Sequence, residues 1–234
     1  MICINCQHEH EEKCCPMCGE PAETPKITFK TISSELLATV AYMDKGFLYN
    51  VKQLFLNPQK LVQDYLRGKR KTIFNPATFL LIAVSLYLIV DSLIPSTGIS
   101  TEERRAGYSL GYLAGQFIRN YFKYFWILSI LWLSTSTWLV FRRYNFAEHL
   151  VISSFIIGQG TLVGLFGLPF GKLPVMMNPV FFAFSGWMIY RIFKGSDTTF
   201  STILESLGAL LLFVLQLLVI VLLVGWINMK LAAG

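Results

Sequence analysis

Four cysteines near the N-terminus form the clearest chemical pattern in the chain. Cys3 and Cys6 make one CxxC pair, and Cys15 and Cys18 make a second in the form CPMCG, where the glycine permits a tight turn. Two such knuckles bring four thiolates to the corners of one tetrahedron, which is the ligand set of a structural zinc site. The pattern therefore predicts a zinc ribbon with one structural zinc held by Cys3, Cys6, Cys15 and Cys18.

Other chemistries fit the same segment less well. A thioredoxin-like redox motif would need a strand and a helix around the CxxC pair, and the residues here do not suggest them. His8 or His10 could replace a thiolate, and Cys14 could replace Cys15, but the CPMCG spacing favours Cys15 and leaves Cys14 as a free thiol. Iron–sulfur ligation is a minor alternative. Because a closed four-thiolate site has no open position for a substrate water, we expect a structural metal and not a catalytic one.

The ribbon is too short to build a core of its own. Only eight residues separate Cys6 from Cys15, so the metal must supply the folding energy. The chain does not start with basic residues followed by an apolar stretch, so we expect no signal peptide and a cytoplasmic ribbon with reduced thiols. The residues between the knuckles, HEHEEK, are largely acidic, which disfavours nucleic acid as a partner.

Most of the remaining chain is too apolar for a soluble domain. Of the 234 residues, 54% are hydrophobic and 15% charged, and the apolar residues lie in long blocks. The net charge is +6, and the basic residues lie beside the apolar blocks, where anionic lipid headgroups are the nearest partner. The composition predicts an all-α protein of the lipid bilayer. It excludes disordered, collagen-like and disulfide-rich secreted proteins.

Five apolar stretches are long enough to cross a bilayer, which takes about 20 mainly apolar residues per helix. They lie near residues 76–94, 123–141, 147–168, 174–191 and 206–228. The short turn PFGKLP joins the third and fourth, which should therefore form an antiparallel hairpin. The predicted domains are a zinc ribbon at 1–22, amphipathic cytoplasmic or interfacial helices at 23–75, and a transmembrane helical domain at 76–234.

An amphipathic helix with a basic side precedes the first span. Asn57 caps it, Pro58 opens it and Gly68 ends it. Its apolar face consists of Leu61, Val62, Tyr65 and Leu66. The basic residues around it are Lys60, Arg67, Lys69, Arg70 and Lys71. A helix lying on the inner membrane surface, with this basic patch among the headgroups, is the favoured interpretation, and a solvated or protein-packed helix is the alternative.

The Lys and Arg residues near the span ends predict the orientation. Nine of them flank the ends on the side of the N-terminus and six flank the opposite ends. An excess of these residues marks the cytoplasmic face. We therefore expect a multi-pass protein of the cytoplasmic (inner) membrane with its N-terminus inside and its C-terminus outside.

Three polar residues of the third span are candidates for an intramembrane functional site. Glu148 and His149 stand at its start, and Gln159 lies further along. Ionisable groups within spans often mark transport or proton pathways, but an interfacial ion cluster that seats the helix explains the pair at least as well. Because no Walker loop, GxSxG, HExxH or GxGxxG motif occurs, we assign no catalytic residue and do not expect an enzyme.

Several motifs together resemble an uncharacterised bacterial family. They are the ribbon, Asp44-Lys45-Gly46-Phe47, Asn57-Pro58, Tyr65-Leu66-Arg67-Gly68-Lys69-Arg70, Asn75-Pro76 and Phe146-Ala147-Glu148-His149-Leu150. The chain is similar in these motifs to multi-pass inner-membrane proteins with an N-terminal zinc ribbon that are classed as a domain of unknown function. The resemblance implies the ribbon and the membrane topology, and it implies no activity.

Three functions are compatible with these features. The first is a non-enzymatic scaffold or adaptor that docks a protein partner on the cytoplasmic side through the zinc ribbon. The second is a small transporter, channel or membrane-embedded enzyme that uses Glu148 and His149, and a weaker third is a zinc or redox sensor. Polar groups that converge on one cavity would favour the second. The small residues Gly160 and Gly164 leave a homo-oligomer open.

Overall fold

The computed structural model describes residues 1–19, 46–93, 110–170, 178–195 and 199–233. Its helices are α1 (Gly46–Leu56), α2 (Pro58–Leu66), α3 (Pro76–Leu93), α4 (Leu110–Val140), α5 (Phe146–Gly164), α6 (Pro179–Phe193) and α7 (Thr199–Ala233), and a 3-10 helix at Leu165–Phe170 extends α5. Within these ranges the β structure consists of a single bridge between Ile2 and Glu9 in the ribbon. The predicted all-α fold is confirmed.

Among the described residues, three helices are long and apolar enough to cross a membrane. They are Pro76–Leu93, Phe146–Gly167 and Thr199–Ile227, and two shorter apolar helices are Phe125–Val140 and Pro179–Phe193. The length and composition of these helices make the chain a membrane protein. All five overlap the predicted spans, but α4 and α7 begin earlier than predicted. Residues 23–45 of the predicted second domain and 174–177 of the predicted fourth span lie outside the described residues.

The chain contains three Asn-Pro pairs, and two of them cap their helices through the asparagine side chain. The Asn75 side-chain oxygen accepts a hydrogen bond from the backbone N–H of Ala77 at 3.0 Å, and that of Asn178 accepts one from Val180 at 2.9 Å. Asn57 occupies the equivalent position before α2 but makes no side-chain capping bond. Its backbone, at φ −142° and ψ 66°, differs from the extended cap conformation of Asn178. The predicted cap at Asn57 is therefore wrong, although Pro58 does start the helix.

Helix α5 lies at the centre of the bundle, and α7 lies at its outside. In the most apolar stretch of α5, 72% of the residues are buried inside the protein, against 17% in α7. Two glycines allow close neighbours: a β-carbon on Gly158 would stand 2.8 Å from the Phe79 ring of α3, and one on Gly160 would stand 2.8 Å from the Phe181 ring of α6. These small residues pack helices of the same chain together.

Helices α5 and α6 form the antiparallel hairpin that the short turn predicted. The Asn178 side-chain amide at the start of α6 donates a hydrogen bond to the Gly164 carbonyl at the end of α5, at 3.1 Å. At the other end, the His149 and Phe193 rings stack with their centroids 5.5 Å apart. The hairpin brings the start of α5 next to the end of α6.

The short helices α1 and α2 pack against this hairpin. The Phe55 ring of α1 lies 5.2 Å from that of Phe184 on α6, and the Tyr65 ring of α2 lies 5.7 Å from that of Phe155 on α5. Leu61 and Val62 are also buried. The apolar face predicted to rest on the membrane surface is thus covered by protein. Helical periodicity shows that a face is apolar, but it does not show what covers that face.

Candidate metal centre and polar residues of the bundle

The four predicted cysteines come together in the ribbon. All four sulfur atoms lie within 4.8 Å of one another, with Cys3 and Cys18 at 3.5 Å and Cys6 and Cys15 at 3.5 Å. In a tetrahedral zinc–thiolate site with bonds of about 2.3 Å, the sulfur atoms are about 3.8 Å apart. The spacing of the donors therefore fits a four-thiolate metal site, and small shifts would suffice to bind the ion.

The backbone of both knuckles folds in the same way. The N–H of Gln7 donates to the Cys3 carbonyl at 3.0 Å, and the N–H of Gly19 donates to the Cys15 carbonyl at 2.6 Å. Both residues have left-handed backbones, with φ 61° for Gln7 and 69° for Gly19. The glycine of CPMCG adopts this conformation at little steric cost, whereas Gln7 adopts it without that advantage. Each knuckle thus points two sulfur atoms toward the shared centre.

The Cys6 thiol holds its proton firmly as long as it bonds to the other thiols. The backbone N–H of His8 lowers the pKa of the Cys6 thiol, but loss of hydration and hydrogen bonds with Cys15, Cys18 and Cys3 outweigh it and raise this pKa to about 12. A metal ion that binds to the four sulfur atoms must displace the thiol protons. Metal affinity should therefore fall as the pH falls.

The alternative ligands in the ribbon do not belong to the cluster that the described residues form. Cys14 and His8 are exposed. The His10 ring is buried, with 8% of the residue exposed, and its nitrogen atoms make no hydrogen bond within the described structure. The His10 backbone instead closes the ribbon, since its carbonyl accepts a bond from the N-terminal ammonium of Met1 at 2.8 Å.

The ribbon touches the loop that follows α2. The Thr72 hydroxyl lies 3.4 Å from the Asn5 side-chain oxygen, to which it donates, and the Lys71 ammonium lies next to Gly19. The segment with the cysteine cluster is therefore placed beside part of the predicted basic patch. Four apolar side chains of the ribbon remain more than 45% exposed: Met1, Ile2, Ile4 and Met17.

The residues of the predicted basic patch do not form a single contact group. Lys69 lies 4.0 Å from the carboxylate of Asp64, and the Arg70 guanidinium lies 5.7 Å from the centre of the Tyr65 ring. The remaining three, Lys60, Arg67 and Lys71, are exposed. Their location at a membrane surface stays a prediction.

Glu148 stabilises the start of α5. Its carboxylate accepts a hydrogen bond from the Asn145 backbone N–H at 2.8 Å, and the Asn145 side chain accepts one from the Glu148 backbone N–H at 2.9 Å. This reciprocal pair is a capping box, which satisfies two backbone donors of a helix start that would otherwise be unpaired.

His149 joins the end of α4 to the start of α5. It is fully buried, with Nε2 3.0 Å from the Phe141 carbonyl and Nδ1 3.0 Å from the Thr137 hydroxyl. Because a carbonyl can only accept, we assign the proton to Nε2 and the acceptor role to Nδ1. The ring thereby satisfies a carbonyl just beyond the last turn of α4, where helices leave carbonyls unpaired. Glu148 and His149 thus both stabilise the turn between α4 and α5.

Gln159 lies far from this turn. It is ten residues beyond His149 on the same helix, which corresponds to about 15 Å along the axis. Its amide donates to the Val51 carbonyl of α1 at 3.3 Å, while its side-chain oxygen makes no hydrogen bond within the described structure. Glu148, His149 and Gln159 therefore do not share a cavity. Glu148 and His149 lie at the turn between α4 and α5, whereas Gln159 lies at the contact between α5 and α1.

The sequence analysis missed a buried polar pair that connects α1 to the start of α3. The Asn50 amide donates to the Phe74 carbonyl at 3.0 Å, and its oxygen accepts from the Phe74 N–H at 3.1 Å. Asn50 is fully buried and shares a face of α1 with Leu54, four residues later. An amide on the apolar face of a short helix was the signal, because a buried amide needs a specific partner.

One comparison with known proteins adds to this picture. No curated protein and no solved structure matches the chain. A family model described as a protein of unknown function (DUF3667) matches residues 44–88. The matched stretch holds α1, α2, the loop with Phe74 and most of α3. The resemblance to a family of unknown function is thus confirmed for residues 44–88, and it leaves the activity open.

Proposed function

We propose that this membrane protein is a non-enzymatic scaffold whose N-terminal ribbon binds one structural zinc ion and docks a protein partner on the cytoplasmic side. The bundle would lie in the cytoplasmic membrane with the N-terminus inside and the C-terminus outside. The proposal rests on the combination of a closed metal site and an apolar ribbon surface. It assigns no catalytic residue to the chain.

Zinc is the ion that the donor set favours. Four cysteine sulfurs at nearly tetrahedral spacing suit zinc, because zinc forms tetrahedral structural sites with four thiolates and has no redox chemistry. When bound, zinc would hold the two knuckles together and leave no position for a substrate. Cys3, Cys6, Cys15 and Cys18 would each contribute one sulfur.

The docking proposal rests mainly on the exposed apolar side chains of the two knuckles, Ile4 and Met17, which are called the apolar tips. Ile4 stands in the first knuckle with 48% of its surface exposed, and Met17 stands in the second with 74% exposed. Ile2 is 66% exposed and lies in the strand bridge next to the first knuckle. Exposed apolar side chains on a small polar module are typical of protein interaction sites. They differ from the exposed leucines of α7, which a bilayer would cover.

The charge around these tips indicates the chemistry of the partner. Glu9, Glu11 and Glu12 are exposed between the knuckles, with Lys13 next to them. A protein surface with an apolar pocket and basic residues at its rim would complement both features. An acidic surface or a nucleic acid would be repelled by the same carboxylates.

The transporter alternative has less support from the geometry. It needs polar groups that line one path, whereas Glu148 caps a helix, His149 satisfies a neighbouring carbonyl and Gln159 bonds to α1. A structural role explains each of these contacts. No specific observation favours transport.

Affinity capture from native membranes tests the docking proposal. The informative variant is Ile4→Ser with Met17→Ser, because it removes the apolar tips and keeps all four thiols. The matched control is His8→Ser with Cys14→Ser, which changes two exposed residues of the same ribbon outside the apolar tips and the acidic residues. Zinc content, measured by elemental analysis, reports that each ribbon is folded.

We expect a stoichiometric partner with the wild type and the control, and its loss with the apolar-tip variant at full zinc content. A partner that binds equally to all three proteins, or the absence of any partner after cross-linking in intact cells, would contradict the proposal.

A further inference from the structure

A groove between α6 and α7 is a feature that the proposed function does not use. It has a volume of about 290 Å³ and an almost entirely apolar lining. The lining residues are Phe182, Ala183, Gly186, Trp187, Tyr190, Ile203, Ser206, Leu207 and Leu210. The residues from α6 recur at helical spacing over eight positions, so the groove runs for about 12 Å along this helix.

The groove faces the outside of the bundle. Leu207 is 57% exposed, and Ile203 and Trp187 are exposed on the two sides of the opening. These residues belong to α7, the least buried of the candidate spans, and to the neighbouring α6. In a membrane this face meets lipid chains, so the groove is open to the hydrocarbon region.

Two cations stand at one end of the groove, in contact with its aromatic lining. The Arg191 guanidinium lies 5.9 Å from the centre of the Trp187 ring, and the Lys194 ammonium lies 5.4 Å from that of Tyr190. Both are one helical turn beyond the aromatic residue that they contact. Arg143 lies at the same end, since its guanidinium donates to the Phe193 carbonyl at 3.4 Å.

The small residues of the lining create the space. A β-carbon on Gly186 would lie 3.3 Å from the Leu210 side chain across the groove, so a larger side chain would fill it. Of the two residues with a hydroxyl in the lining, Ser206 donates to the Thr202 carbonyl of its own helix, and Tyr190 lies at the end of the groove where Lys194 contacts its ring. The exposed surface of the lining is almost entirely apolar, which suits an acyl chain better than a polar ligand.

We propose that this groove binds an anionic phospholipid, with an acyl chain between α6 and α7 and the phosphate at Arg191 and Lys194. An apolar slot open to hydrocarbon fits a lipid tail, and the cations at its end complement the phosphate charge. Trp187 and Tyr190 occupy the position between tail and headgroup that aromatic residues favour in membranes. The site requires only the membrane location of the chain and is independent of the proposed role of the ribbon.

Native mass spectrometry of the full-length protein in detergent micelles tests the proposal. Phosphatidylglycerol and phosphatidylcholine with the same acyl chains are titrated separately, and bound lipids are counted. Each cation near an anionic lipid favours binding about fivefold, so we expect phosphatidylglycerol to bind about 25-fold tighter than phosphatidylcholine. Arg191→Gln with Lys194→Gln should abolish this preference.

Two controls separate the groove from general effects. Gly186→Leu should prevent both lipids from binding at the site, whereas Gly208→Leu should behave as wild type, because a β-carbon on Gly208 meets no atom within 4 Å. Lys52→Gln with Lys230→Gln removes two exposed cations on α1 and at the far end of α7 and should leave the lipid preference intact. Helicity and a single elution peak report on folding.

Three results would overturn the proposal. The first is equal affinity for the two lipids. The second is a lipid preference that survives Arg191→Gln with Lys194→Gln or that disappears with Lys52→Gln and Lys230→Gln. The third is a wild-type dimer that Gly186→Leu separates while lipid binding stays unchanged, since the groove would then bind a second copy of the chain.

Discussion

The ribbon and the helix bundle use their chemically versatile residues in opposite ways. In the ribbon, four cysteine side chains point toward one centre and leave apolar residues exposed around it. In the bundle, Glu148, His149 and Asn50 each bond to the backbone at a joint between helices. Polar residues deep in an apolar protein need partners, and unpaired helix ends are the nearest ones. An ionisable residue in a span is therefore weak evidence for function until its partners are known.

The two regions also differ in what stabilises them. Within residues 1–19, the buried residues of the ribbon are Cys3, His10 and Cys15, which are too few for an apolar core, so we expect its fold to depend on a bound metal. The bundle is stabilised by buried aromatic residues and by close helix contacts at Gly158 and Gly160. Each region should consequently be able to unfold while the other stays folded.

Removal of two thiols should have the largest effect and should remain confined to the ribbon. Cys15→Ser with Cys18→Ser should abolish zinc binding and unfold residues 1–19, because structural zinc contributes about 10 kcal/mol or more to the folding of such modules. Elemental analysis gives the zinc content and circular dichroism the helicity, which should hardly change. Cys14→Ser is the matched control and should retain zinc. Loss of the protein from the membrane would contradict the separation of the two regions.

The close contact between α3 and α5 at Gly158 allows the opposite experiment, in which the bundle is destabilised and the ribbon is left intact. Gly158→Leu forces a side chain against the Phe79 ring and the backbone of Leu80, which lies 3.3 Å from the position of a β-carbon. Overpacking of this kind should lower the free energy of unfolding of the bundle by about 3 kcal/mol. The thermal midpoint of unfolding, followed by circular dichroism, reports this loss of stability. The zinc content should stay unchanged. An unaltered midpoint, equal to that of Gly208→Leu, would mean that α3 and α5 do not pack in this way.

The Asn50 pair should contribute less. Asn50→Ala leaves the N–H and the carbonyl of Phe74 without their partner, which should cost about 2 kcal/mol. The thermal midpoint should fall, whereas Lys52→Ala, on the exposed side of the same helix, should leave it unchanged. Equal midpoints for both variants would show that the loop before α3 is held by other contacts.

Glu148→Gln should have the smallest effect. Glutamine also forms a capping box, so the change should alter stability by less than about 0.5 kcal/mol, whereas Glu148→Ala should cost about 1 kcal/mol. The thermal midpoint distinguishes the two. If Glu148→Gln reproduced a null phenotype in cells while the protein remained folded, the carboxylate would have a functional role.

Local signals in the sequence predicted where helices begin better than they predicted which segments pack around each helix. The starts at Pro58, Pro76 and Pro179 follow from the fixed backbone angle of proline, and the end of α2 at Gly68 follows from its φ of 109°. The cysteine spacing predicted the cluster because short knuckles constrain the sulfur positions.

Contacts between distant segments could not be predicted in the same way. The bond between Asn50 and Phe74, the close approach at Gly158 and the protein covering of α2 all depend on which helix lies beside which. Hydrophobicity does not encode this choice, since lipid chains and protein cores are equally apolar. For the same reason the Glu148-His149 pair was compatible with either a pathway or a structural joint.

Hydrogen–deuterium exchange with and without a zinc chelator tests the central claim most directly. The full-length protein in lipid nanodiscs is compared before and after zinc removal, and exchange is followed by mass spectrometry. We expect residues 1–19 to lose their protection while the helices 76–93, 146–164 and 199–227 keep theirs. Loss of protection throughout the bundle, or an unchanged ribbon after complete zinc removal, would contradict a metal-dependent ribbon attached to an independently stable bundle.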